Sequence, residues 1–61
     1  MTDKEKLDMA IEDIKKYCSW RRTNLRDMRA YLGKVDIKRN TLKIQALTYA
    51  VKVLEKARRE A

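Results

Sequence analysis

Arg22, Arg26 and Arg29 recur at steps of four and three, so a helix through them carries all three on one face. Arg21 precedes them, and Lys34, Lys38, Arg39 and Lys43 follow closely. Guanidinium groups at this density suit phosphate, because the planar fork bonds two oxygens of a phosphate, or a guanine edge, at once. Lysine adds point charge, and each neutralised phosphate releases counterions. Asn40 and Thr41 stand beside Arg39 and can add neutral hydrogen bonds. Backbone N–H groups of a helix starting near Asn40 to Lys43 can also take a phosphate. The candidate nucleic-acid contacts are therefore Arg21, Arg22, Arg26, Arg29, Lys34, Lys38, Arg39, Asn40, Thr41 and Lys43.

Other chemistry is thinly supplied. With no His among 61 residues, the usual general base near neutral pH is missing. Cys18, the only cysteine, has no His to activate it and no partner for a disulfide within the chain. Lys15, Lys16, Arg21 and Arg22 lie near it in the sequence, but Cys18 fits better as a small apolar residue on a helix face. Glu5, Asp8 and Glu12 share a helical face and could hold a divalent cation; a solvated face paired with lysines is the favoured reading. The single glycine, Gly33, cannot make a phosphate-cradling loop. The sequence therefore points away from an enzyme, and implies no cofactor or metal.

Charge is distributed unevenly. Residues 1–14 set five carboxylates against two lysines, a sum of −3. Residues 15–43 set ten cations against Asp27 and Asp36, a sum of +8. Residues 44–61 set four cations against Glu55 and Glu60, a sum of +2. The middle of the chain thus carries more than the whole net charge of +7. Met1 to Lys6 is charged with no apolar stretch behind it, unlike a secretory signal. No run approaches the roughly 18–20 apolar residues a membrane span needs. An unpaired thiol then fits a cytoplasmic protein.

The elements that must position these residues are helical. Leu7, Ile11, Ile14, Cys18, Leu25, Met28 and Leu32 keep one stripe at steps of three, four and seven. A second stripe runs through Ala46, Leu47, Ala50, Val51, Leu54 and Ala57. Thr2 and Glu5 have capping-box spacing, Asn40 or Thr41 can cap the last helix, and Gly33 can end the helix before it. Ser19, Thr23 and Asn24 are better caps than interior residues, and a break there would let Trp20 fold into the core. The expected fold is one all-α domain over residues 1–61, a three-helix bundle with helices at about 3–18, 24–33 and 40–60. The alternative is a single long first helix. The resulting hairpin cannot bury its stripe alone and would dimerise as a four-helix bundle. A core this small supplies only roughly 3–5 kcal/mol, which makes self-association attractive.

Asn24 to Gly33, followed by Lys38-Arg39-Asn40-Thr41-Leu42, resembles a helix-turn-helix, although the connection from Gly33 to Asn40 is longer than that family's turn. The resemblance implies that Lys38, Arg39, Asn40, Thr41 and Lys43 meet DNA while Arg22 and Arg26 hold the backbone. Arg21-Arg22-x-x-Leu25 with Thr41 to Leu47 is more distantly similar to basic helix-loop-helix proteins, which would imply the dimer. The expected function is a small DNA-binding regulator, with DNA preferred over RNA. The alternative is an inhibitor or adaptor docking its basic face on an acidic protein. A basic helix lying on a membrane ranks below both.

Overall fold

The computed structural model describes residues 1–61 and contains two long helices. α1 spans Asp3–Met28 and α2 spans Lys34–Glu60, joined by a 3-10 turn at Arg29–Tyr31. The helices are antiparallel: Asp8 meets Arg58, Cys18 meets Thr48 and Arg21 meets Asn40. The protein is a helical hairpin measuring 43 × 15 × 12 Å.

α1 starts where the sequence places its cap. Thr2 is extended at φ −76°, ψ 164°, and its side chain accepts from the Glu5 N–H at 3.2 Å. The Thr2 hydroxyl donates to Glu5 Oε1 at 3.1 Å, closing the box through side chains. Asp3 and Glu5 in the first turn complement the positive end of the helix dipole.

The break expected at Ser19–Asn24 does not occur, and the three-helix arrangement gives way to two. Ser19, Thr23 and Asn24 are all exposed in an unbroken α1. At exposed positions such residues cost only a few tenths of a kcal/mol each. A break would strand four N–H and four C=O groups. It would also throw Leu25 off the seam that Leu7, Ile11, Ile14 and Cys18 occupy. Trp20 accordingly stays outside, 59 % exposed, stacked on Tyr17 with ring centroids 5.9 Å apart.

The connection is also shorter than expected. Residues 34–40 are the first two turns of α2, so the helix expected from about residue 40 begins at Lys34. Ile37, Asn40, Ile44, Leu47, Val51, Leu54 and Arg58 step by three and four, so the seam of α2 reaches back past Asn40. Gly33 precedes α2 with φ −71°, ψ 163°, extended instead of left-handed. Asn40 and Thr41 do not cap. The Asn40 amide donates to the Asp36 carbonyl at 2.9 Å and the Thr41 hydroxyl to the Ile37 carbonyl at 2.8 Å, each one turn back.

The core is one thin seam. Only Ile11, Cys18 and Val51 are buried. Leu7, Ile14, Leu25, Ile37, Ile44, Leu47 and Leu54 are half-buried along the same line. A layer two helices wide and one thick can shield one stripe per helix and no more.

Candidate nucleic-acid interface

The layer has two broad faces. Lys15 and Arg22 of α1 and Thr48 of α2 line a shallow groove of about 270 Å³ on one of them, with Cys18 and Val51 at its floor. Tyr17, Arg21, Lys43, Ala46 and Leu47 line a depression on the other. At 3.6 residues per turn, Arg26 falls on the face of Arg22, and Lys34, Thr41, Lys52 and Arg59 on the face of Thr48; Arg29 follows in the 3-10 turn. This is the cationic face. Arg39 falls with Lys43 on the opposite face, and Lys38 on the outer edge of α2.

The ten candidate contacts are therefore divided. Arg22, Arg26, Lys34 and Thr41 fall on the cationic face, and Arg29 lies in the turn that adjoins it. Arg39 and Lys43 do not join them. Arg21 and Asn40 face each other in the interhelical seam: an Arg21 Nη donates to Asn40 Oδ1 at 2.6 Å, and the other Nη donates to the Tyr17 hydroxyl at 2.6 Å. The Arg21 guanidinium also lies 5.2 Å from the centre of the Tyr17 ring, a cation–π distance. Its Nε is buried without a partner. The position steps by three from Cys18 and by four to Leu25, so Arg21 continues the apolar stripe as a polar layer.

Ion pairing separates the two ends of the hairpin. Toward the free ends, Arg58 Nε donates to Asp8 Oδ1 at 2.7 Å, Lys15 lies 3.6 Å from Glu55 and Lys16 lies 3.1 Å from Glu12. The Arg58 hydrogen bond holds the Asp8 carboxyl below its ordinary range, helped by the Arg58 charge and then by Lys4, while desolvation opposes them. The same bond raises Arg58 above its ordinary value. Toward the turn the pattern changes. Arg26 contacts Asp27 at 3.4 Å, and Arg22 donates to the neutral Thr48 hydroxyl at 3.2 Å. Arg29, Lys34, Lys38, Arg39 and Lys43 form no ion pair.

The acidic residues hold no cation cage. Asp8 is tied to Arg58, Glu12 to Lys16 and Glu5 to Thr2, and no three His, Cys, Asp or Glu side chains converge. Cys18 is buried, with its Sγ 4.0 Å from the Thr48 hydroxyl. No helix is long and apolar enough to cross a membrane. Lys52 and Arg59 extend the cationic face and were not among the sequence candidates. Their seven-residue spacing, with Lys52 eleven after Thr41, is the signal that would have found them once α2 was known to be continuous. No known protein family, curated protein or solved structure matches the chain.

Proposed function

We propose that the hairpin is a non-enzymatic regulatory module that binds nucleic acid, DNA in preference to RNA, through its cationic face. The observation that carries this reading is the grouping of Arg22, Arg26, Arg29 and Lys34 near the turn, where Asp27 is the only paired carboxylate. Cations that bind one another's carboxylates satisfy themselves; cations without carboxylates are available to phosphate. The aromatic pair Tyr17–Trp20 is centred away from this face, which favours a duplex backbone over bases stacked from a single strand. The finer architecture proposed with this reading is a four-helix bundle of two hairpins, which leaves the cationic face open. The helix-turn-helix likeness adds a role for the first turns of α2, which carry Lys34, Lys38 and Arg39 on different sides.

The test is fluorescence anisotropy on a random duplex across a salt series. Four to five phosphate contacts give a log–log slope of about −4, at roughly 0.9 per phosphate. A flat response, or no binding at 20 mM salt, refutes the reading. A stoichiometric complex with an acidic protein in place of nucleic acid would favour the adaptor alternative instead.

A further inference from the structure

The face opposite the cations is a second seam without a partner. On α2, Ala46, Ala50, Val53 and Ala57 step by four, three and four, the spacing of a packed stripe. They lie beside, and not within, the seam that meets α1. On α1, Tyr17 lines the same depression and Trp20 stacks on Tyr17. Val53 is 49 % exposed and Trp20 59 %. Alanines at a helix surface allow another helix to approach to the short end of the usual 8–10 Å range.

The amount of surface left over indicates what covers it. A compact monomer of this 7.3 kDa mass exposes about 4,200 Å². The hairpin exposes 5081 Å². The excess of roughly 900 Å² is close to the 800 Å² or so that each partner contributes to a standard interface. The radius of gyration is 14.1 Å, against about 10.5 Å for a compact chain of this length and about 13.7 Å for one twice as long. The hairpin thus has the reach of a two-chain particle and the thickness of half of one.

Charge sets the direction of pairing. The turn half, residues 15–43, sums to +8, whereas residues 1–14 and 44–61 together sum to −1, from −3 and +2. Parallel pairing brings the two +8 halves together. Antiparallel pairing places each beside a nearly neutral one and brings the unpaired Arg39 and Lys43 toward the other copy's acidic N-terminal stretch. We propose that two copies of this chain associate through the Ala46–Ala57 face, antiparallel, into a four-helix bundle. The proposal is independent of nucleic-acid binding through Arg22, Arg26 and Lys34, which lie on the other face, while Arg39 and Lys43 lie on this one.

The experiment is sedimentation equilibrium of the full chain from 1 to 500 µM, with Trp20 emission and iodide quenching followed over the same range. The expected result is a mass twice that of the chain, with Trp20 emission shifting to the blue and quenching falling as the dimer forms. Ala50→Lys with Val53→Lys returns the mass to one chain, whereas Arg26→Ala leaves it doubled. Should the double variant also lose its helix signal, the wild-type melting temperature decides: it rises with protein concentration if folding and pairing are linked. Spin labels at Gly33→Cys, in a Cys18→Ala background, report direction. At that glycine a new Cβ meets nothing closer than the Asp36 carboxylate at 3.9 Å. Labels should be separated by more than about 30 Å, since each hairpin is 43 Å long. A single-chain mass at 500 µM, a doubled mass that survives the lysine pair, or labels within 20 Å would each overturn the proposal.

Discussion

Replacing Arg21 and Asn40 together by leucine should stabilise the hairpin, although each replacement removes a hydrogen bond. Arg21 is half-buried in the seam, bonded at 2.6 Å to Asn40 and at 2.6 Å to Tyr17, and its Nε has no partner. Two leucines there would be partly buried. Full burial of one is worth about 1.5–3 kcal/mol, so two half-buried ones contribute roughly 2 kcal/mol. Removing the buried orphan donor returns about 1 kcal/mol. Against this stand the lost Arg21–Asn40 bond, which has a charged donor and is worth about 1.5–3 kcal/mol, at the low end because Arg21 keeps some solvent, and the exposed Arg21–Tyr17 bond, whose hydroxyl returns to water at little cost. The balance is a gain of about 1 kcal/mol, or roughly 4–8 °C in melting temperature for a domain this small. Asn40→Ala alone leaves the guanidinium short of an acceptor and should cost about 1 kcal/mol. The assay is urea unfolding followed at 222 nm, at one fixed protein concentration, for the wild type, both single variants and the double. A double variant less stable than the wild type by the sum of the singles would show that the polar layer is a net source of stability and refute the reasoning.

Three further outcomes are expected. Arg22→Ala, Arg26→Ala and Arg29→Ala should each reduce the log–log salt slope of duplex binding by roughly 0.9; unchanged slopes would remove these residues from the interface. Val51→Ala empties one of only three buried positions, and at about 2 kcal/mol against a core worth roughly 3–5 kcal/mol it should leave a clearly shallower thermal transition by circular dichroism. The Asp8–Arg58 pair adds an acid dependence: the Asp8 carboxyl is depressed, so its contribution is present above the ordinary value of 3.8 and is lost as pH falls through the folded value. Arg58, already charged throughout and raised further, adds no pH dependence below 10. Asp8→Asn should flatten the acid limb of stability between pH 5 and 2 while leaving Arg58 protonated, and an identical acid limb in the variant would disprove the assignment.

The helical class, the Thr2 cap and the stripe from Leu7 to Leu25 were legible because each depends on local spacing. The breakpoint was not. Ser19, Thr23 and Asn24 favour caps as residues, but their cost at exposed positions is less than that of opening a seam already in phase. Asn40 and Thr41 misled for the same reason: their side chains bond carbonyls one turn back and so sit inside a helix as readily as at its start. Among the candidate contacts, Arg22 and Arg26 share α1, while Arg29 falls in the 3-10 turn beyond it. Spacing could not place Arg39 and Lys43, whose face depends on where α2 begins, six residues earlier than the cap residues suggested. Arg21 looked like a phosphate ligand by type, but its position in the stripe makes it part of the seam.

A layer with cations on one side and alanines on the other has a consequence for stoichiometry once its apolar sides are joined. The two basic faces then point away from each other, across the thickness of the bundle. Such a particle cannot embrace one duplex; it offers a separate platform to each of two. If the proposed nucleic-acid binding holds, its product is a crosslink between neighbouring stretches of nucleic acid. Crosslinking of that kind peaks when protein and duplex are matched and dissolves when either is in excess, as every divalent linker does.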